Sequence, residues 1–289
     1  MAQNVEILEV SLPEMAPLTA RAAALPAAGL TMDQCLARRC ALDGCQVRVR
    51  ADFLPSPALL SQVARIENNV LVRATDGTEL LRKIVRGATA SEEFPPDDAS
   101  IRIRRPWDVL AVNEMLLAEL AAGNIAGTVR PGATVDGVLE LGEGSVLLPG
   151  VYIEGHVVIG KNCLIGPNAC LRGATAIGDN CRIGQAVEIK NSVILDQVHI
   201  QHLSYIGDSV VDSACRLGAG TVTANLRHDG GNVRAMTEAG LVATGRKKFG
   251  AVLGRGVHTG IQTGIYPGRK LWPGVTTLPG ETVRQDKKQ

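Results

Sequence analysis

The sequence predicts a parallel β-helix preceded by a small mixed α/β segment, and three observations carry that expectation. From Val129 an aliphatic residue recurs at every sixth position, through Val135, Leu141, Leu147, Ile153, Ile159, Ile165, Leu171, Ile177, Ile183 and Ile189. Glycine often follows directly, as in Ile159-Gly160 and Ile183-Gly184. Aromatic residues make up only 3% of the 289 residues while glycine contributes 32, a bias towards tightly turned coils of small and aliphatic side chains. A six-residue period matches neither a helical face nor a long strand. It matches a short flat strand and a tight corner, three of which close a triangular coil of about 18 residues with aliphatic columns stacked inside.

The register then slips by one residue to Ile194, Ile200 and Ile206, and again to Val211, Leu217 and Thr223. A polar, glycine-containing interval runs from Leu226 to Gly250, after which the six-step series resumes at Leu253, Thr259, Ile265, Leu271, Thr277 and Val283. The interval reads as a loop thrown out of the coil, either a lid over a binding face or a solvated insertion. Coils of this kind need their faces covered, and many associate in threes, so a homotrimer is expected.

Residues 1–120 lack the repeat and are richer in alanine. They read as mixed α/β, with a helix from about Trp107 to Ala122 and a polar loop around Gly87 to Ser100. The expected division is therefore 1–120 and 121–289.

Composition narrows the classes of function. Lysine plus arginine exceeds aspartate plus glutamate by one, so no global field favours nucleic acid or an anionic membrane, and anion selectivity must be local. No run of 18 apolar residues occurs and no positive charge precedes Arg21, so neither a membrane span nor a secretory signal is supported and the cytoplasm is the expected compartment. Seven cysteines without a C-x-x-C pair read as reduced thiols; Cys163, Cys170, Cys181 and Cys215 are expected to pack within the repeat. No metal site is expected.

Three blocks carry chemistry: Glu188-Ile189-Lys190-Asn191-Ser192, Gln201-His202-Leu203-Ser204-Tyr205-Ile206-Gly207-Asp208, and Gly218-Ala219-Gly220-Thr221-Val222-Thr223-Ala224-Asn225. Attack of an amine on a thioester needs a base within hydrogen-bond reach, a task suited to a neutral imidazole. His202 fits that role, while His156, His199, His228 and His258 read as packed or solvated side chains. Arg172 and Lys190 are one 18-residue coil apart, so they should stack on one face at the strand spacing. Stacked like charges are unfavourable unless an anion bridges them, which points to a phosphate clamp.

Together the blocks resemble the acetyltransferase domain of the bifunctional N-acetylglucosamine-1-phosphate uridyltransferases, particularly the archaeal-type enzymes, over about residues 120–285. The resemblance implies a left-handed coil, acetyl-CoA as co-substrate and an amino-sugar 1-phosphate as acceptor, glucosamine 1-phosphate first and galactosamine 1-phosphate as the alternative. It implies His202 as general base, Asn225 as the residue orienting the sugar and its amine, and Tyr205 as a contact to the sugar phosphate or hydroxyls. Ala219 would line the path of the pantetheine arm. Lys247 and Lys248 would reach the cofactor phosphates or the substrate, or remain a solvated basic loop. Arg284, Lys287 and Lys288 read either as added charge for nucleotide phosphates or as a disordered tail.

Arg216 and Leu226 stand where the bacterial enzymes have asparagine and tyrosine, which leaves the sugar open. The stretches Pro17-Leu18-Thr19 to Met32 and Arg105 to Asn113 resemble the opening and the end of a nucleotidyltransferase domain. The glycine-rich loop and the basic pair near Ala23 and Ala24 that hold nucleotide phosphates are missing. The resemblance therefore implies a shortened, non-catalytic remnant without nucleotidyl transfer. Two rivals remain: a binding or regulatory subunit on the same coil, and a trimeric metalloenzyme with converging histidines.

Overall fold

The aliphatic columns read from the sequence close into a parallel β-helix in the computed structural model, which describes residues 4–18 and 26–289. The chain divides into two compact units, Met1–Pro13 with Ala20–Arg104, and Glu14–Thr19 with Arg105–Gln289. Part of the segment compared with a nucleotidyltransferase opening, residues 19–25, lies outside the described residues.

The first unit is built on a five-stranded mixed sheet in the spatial order Val5–Leu8, Cys45–Arg50, Glu79–Val85, Asn69–Arg73 and Ser91–Phe94. Helices α1 (Met32–Arg39) and α2 (Pro57–Arg65) accompany it. Ser56 caps α2 by accepting the Leu59 N–H, and Pro57 stands at its first turn, both favourable at a helix start. The buried Lys83 ammonium donates to the carbonyls of Val63 and Ala64 at the end of the same helix, where orphan carbonyls favour a cation. The loop expected around Gly87 to Ser100 contains the strand Ser91–Phe94, which pairs in parallel with Asn69–Val72. Its acidic sequence hides a strand because it lies on the sheet edge with both glutamates exposed.

In the second unit three faces of short strands stack in parallel. The first runs through Cys170–Arg172, Glu188–Lys190 and Tyr205–Gly207, the second through Thr175–Ile177, Val193–Ile194 and Val210–Val211, and the third through Arg182–Gln185, His199–His202 and Arg216–Leu217. Corner residues take the left-handed backbone once per coil: Asn162, Asn180 and Gln197 at one corner, Ala186 and Leu203 at the second, Gly173, Asn191 and Asp208 at the third. Asparagine, aspartate and glycine tolerate that conformation best.

The columns point inward as the periodicity requires. From Leu141 to Ile189 every sixth residue is buried, as are Ile194, Ile200, Ile206, Val211, Leu217 and Thr223. The slips correspond to coils of 17 rather than 18 residues, with Arg172 opposite Lys190 but Glu188 opposite Tyr205. Val135 departs from the pattern at 37% exposure, because it lies in an opening coil whose rung is covered from one side only. Cys163, Cys181 and Cys215 are buried, and burial pushes the Cys215 thiol up to about 12. Cys170 is instead an outward residue beside the inward Leu171.

The helix expected near Trp107 is α3 (Asp108–Ala118), and it belongs to the coil unit. It packs on the second face against Tyr152–Ile159 and Val193–Ile194. Outward residues there, Val158, Ala176 and Val193, are consequently buried, the valines contributing about 1.5–3 kcal/mol each. The interval after Asn225 leaves the coil and returns, and within it Arg234–Thr237 pairs antiparallel with Gly240–Ala243. Among the described residues no helix is long and apolar enough to cross a membrane.

Candidate functional site

Arg172, Lys190 and Gly207 are successive rungs of the first face, so the two cations stack as expected from their spacing. The external anion expected to bridge them is not required. Arg172 Nε donates to Glu188 Oε1 at 2.7 Å, and Lys190 Nζ donates to Asp208 at 3.1 and 3.4 Å. Each cation has a carboxylate supplied by the next coil, which offsets the like-charge stacking from within the protein.

Asp208 is the hub of this corner. It is 2% exposed, and besides Lys190 it accepts from Asn191 Nδ2 at 3.0 Å and Asn225 Nδ2 at 2.6 Å. Three side-chain donors compensate the desolvation of one carboxylate. Asn225 Nδ2 also donates to the Tyr205 hydroxyl at 3.1 Å. Burial holds that hydroxyl above its ordinary value, so it stays a neutral phenol. The group fits together because Gly207 has no side chain: a Cβ there would stand 2.5 Å from the Tyr205 hydroxyl and 2.7 Å from Asn225 Nδ2.

Helix α3 reaches the same corner. Glu114 accepts from Asn191 Nδ2 at 2.7 Å and is paired with the Arg246 guanidinium of the excursion. The excursion is fastened again at its base. Leu226 pairs with Lys248, the Phe249 N–H donates to the Asn225 carbonyl at 2.9 Å, and the buried Phe249 ring meets Trp107 edge-on at 5.8 Å. Lys248 and Lys247 are exposed beside Asn225. Glu114, Asp208 and Arg246 are functional candidates that the repeat could not reveal, because their significance lies in contacts between a helix, a corner and a loop. The aspartate closing the Tyr-Ile-Gly-Asp block was the one signal available.

His202 ends the strand His199–His202 of the third face, at the corner where Leu203 turns the chain towards Tyr205 of the first. It is exposed, and among the described residues none bonds to its imidazole. Its carbonyl accepts the Gly220 N–H at 3.0 Å, which sets Ala219 in the rung above it. The following residue, Leu203, holds a φ of 51° with 69% exposure, a costly conformation for a large side chain of the kind concentrated at functional sites. The predicted residues thus form two groups. Arg172, Lys190, Tyr205 and Asn225 gather on the first face with Lys248 exposed at the base of the excursion, and His202 with Ala219 stands at the end of the third.

Next to Asn225 lies an open cavity of about 610 Å³ whose lining includes Leu226, Leu241, Tyr266, Arg234, Arg269 and Arg284. The excursion supplies one wall and the last coils the other, so residues far apart in sequence meet. Arg269 donates to the Arg234 carbonyl at 2.8 Å, and the Arg284 guanidinium lies 6.0 Å from the Tyr266 ring centre. The basic tail is not disordered: Lys287 pairs with Glu281 at 2.6 Å and Lys288 lies 5.1 Å from the Trp272 ring centre. Among the described residues no three His, Cys, Asp or Glu side chains gather as a metal-holding group.

Comparison with known proteins returns related chains for the coil region. The family described as the GMPPB C-terminal domain matches residues 147–266. The chain is 39% identical over 184 residues to a bifunctional sugar-1-phosphate nucleotidylyltransferase/acetyltransferase of Sulfurisphaera tokodaii, a match covering 64% of this chain and 46% of that protein. It is 42% identical over 232 residues to the bifunctional protein GlmU of Methanococcus maripaludis, covering 77% of this chain and 56% of that one. The chain spans about half the length of the curated relatives it matches. A solved mutant of GDP-perosamine N-acetyl transferase from Caulobacter crescentus, in complex with CoA and GDP-perosamine, matches 96% of this chain and 90% of its own at 15% identity and a TM-score of 0.23. The coil is therefore related by sequence to sugar-1-phosphate nucleotidylyltransferase/acetyltransferases.

Proposed function

We propose that the chain is an acyltransferase that moves acetyl from acetyl-CoA to the amine of an amino-sugar 1-phosphate, glucosamine 1-phosphate foremost. The observation that supports this reading is the exposed imidazole of His202, unengaged by any described residue, at the corner that leads from the third face into Tyr205 of the first-face cluster with Arg172, Lys190 and Asn225. His202 takes a proton from the attacking nitrogen as the new N–C bond forms. The thioester carbonyl oxygen carries the developing charge, which backbone or side-chain donors stabilise. Collapse of the adduct breaks the C–S bond, and the thiolate of coenzyme A leaves and takes up a proton.

The carboxylate partners refine the clamp. Lys190 serves chiefly to balance Asp208, which in turn orients Asn225 towards the sugar. Arg172 keeps further N–H groups for phosphate after pairing with Glu188, and Lys248 adds a second, exposed cation. Ala219 would border the pantetheine arm, and Lys247 would stand near the cofactor phosphates. The open cavity with Tyr266, Arg269 and Arg284 offers an apolar wall and cations suited to the adenosine end. In a homotrimer the His202 edge of one copy would meet the Asn225 edge of another, bringing both groups to one acceptor.

Residues 1–120 would be a shortened nucleotidyltransferase remnant without that activity. The match to the Methanococcus protein, wider than the coil alone, supports common ancestry for part of this region. The test is release of thiol from acetyl-CoA in the presence of glucosamine 1-phosphate. Transfer by the native chain and its loss in His202→Ala, with assembly unchanged, is expected. Full activity in that variant would remove His202 as base, and no transfer to any amino-sugar 1-phosphate would favour a non-catalytic subunit. Pyrophosphate release from a nucleoside triphosphate and a sugar 1-phosphate would overturn the remnant reading.

A further inference from the structure

A second column of bases runs along the third face. Arg182 is registered opposite His199, His199 opposite Arg216, and Arg216 opposite His258. Neighbouring strands lie about 4.8 Å apart, and like charges directly opposite each other destabilise a sheet. On the first face that conflict is met by Glu188 and Asp208. Among the described residues no carboxylate pairs with Arg182, His199, Arg216 or His258 on the third face.

The acids nearest in sequence are otherwise engaged. Asp179 accepts the Lys161 N–H and Asp196 accepts the Asp179 N–H, each at 2.7 Å. Beside the bases runs the corner column Asn162, Asn180 and Gln197, with left-handed φ angles of 55°, 59° and 61°. These amides and the side chains of Arg182, His199 and Arg216 line one polar groove of about 500 Å³. Burial, together with the Arg216 and Arg182 charges, holds His199 below its ordinary value. Cations and amide donors share a concave surface, and intramolecular acceptors are missing from it among the described residues.

We propose that this groove is a binding site for a small molecule carrying two adjacent phosphoryl groups, laid across the rungs of Arg182, His199 and Arg216. The two arginine backbones are two strand spacings apart, about 10 Å, a span that a diphosphate matches better than a single phosphate. Each guanidinium offers paired N–H donors to phosphate oxygens. Asn180 and Gln197 donate from the side. The site is on another face from the Arg172, Lys190 and Asn225 cluster, though its His199 shares a strand with His202, and the binding it predicts does not rest on the acetyl-transfer reading. Its diphosphate could be that of coenzyme A or that of a nucleotide-linked sugar.

Calorimetry of the full chain with inorganic pyrophosphate and with orthophosphate tests the site. Pyrophosphate should bind at least about tenfold tighter than orthophosphate, and Arg182→Gln with Arg216→Gln should weaken it about a hundredfold, two lost bidentate contacts at roughly tenfold each. The milder pair Asn180→Ala and Gln197→Ala should weaken it severalfold, and His199 should take up protons more readily when the anion is bound. Competition by coenzyme A or by a nucleotide diphosphate sugar then assigns the source, and competition by neither leaves a free diphosphate ligand. Absence of pyrophosphate binding, unchanged affinity in the folded arginine variants, or an effect of those variants on assembly alone would overturn the proposal.

Discussion

The Asp208 carboxylate stands one coil beyond the Lys190 ammonium and accepts it at 3.1 Å, with only 3% of the aspartate side chain and 17% of the lysine side chain exposed. A cation that looks free in the sequence is thus already paired, and its partner also holds Asn191 and Asn225. The consequence is that Lys190 and Asp208 act as one unit.

Asp208→Asn should therefore lower stability sharply, by about 3 kcal/mol, since removing one member of a buried pair strands the other. Thermal unfolding measures this. Adding Lys190→Met should recover part of the loss, and strictly additive losses would show that the pair is not coupled.

Gly207→Ala tests the packing of the candidate site without touching a polar group. A methyl 2.5 Å from the Tyr205 hydroxyl and 2.7 Å from Asn225 Nδ2 must push both side chains away. Acetyl transfer should fall at least about tenfold, and the unfolding temperature should drop as well, since displacing Asn225 removes one of the donors to the buried Asp208. Wild-type activity would mean that the Tyr205 and Asn225 arrangement is not used.

Glu114 ties helix α3 to Asn191 and to Arg246 of the excursion. In Glu114→Ala the 226–250 segment should lose hydrogen-exchange protection while the coil strands keep theirs. Unchanged exchange would assign the fastening of the loop to Phe249 alone.

His199 gives a pH signature. Its folded value lies below the ordinary histidine value through burial and the charges of Arg216 and Arg182. The unfolded chain then binds the proton more readily, so this group lowers stability as pH falls through the ordinary histidine range towards the folded value, and contributes nothing above that range. Arg216→Asn should raise the imidazole's titration midpoint, read from its proton resonances, and soften the acid loss of stability. A midpoint that does not move would place Arg216 too far away to act.

Ile189→Ala should cost about 2–5 kcal/mol, as expected when a fully buried aliphatic side chain leaves a cavity that its neighbours cannot fill; Ile189 is 0% exposed. The cost should appear as a lower denaturant midpoint, and a change below about 1 kcal/mol would indicate that adjacent coils close the gap.

Much of the coil was legible because inward and outward positions alternate within a strand only a few residues long. Ile189 and Lys190 are neighbours in sequence, and the period alone assigns one to the core and the other to the surface. The same logic placed Arg172 above Lys190, and it read the two shortened coils from a shift of one residue. It failed at Val135, where a column continues but its covering rung does not, and at Cys170, whose small size suggested the core although its register points outward.

Contacts between coils and other elements were not legible. The periodicity assigns Glu188 and Asp208 to outward positions, yet whether their carboxylates turn towards Arg172 and Lys190 depends on side-chain packing at the corner. Glu114, Arg246 and Phe249 belong to no repeat at all. Register follows from the repeat alone, since burying one aliphatic column forces every neighbouring residue to a known face. Which charges are compensated from within and which, like Arg182 and Arg216, face solvent in a row is a matter of packing in three dimensions, because electrostatic pairing depends on distances that no linear period encodes.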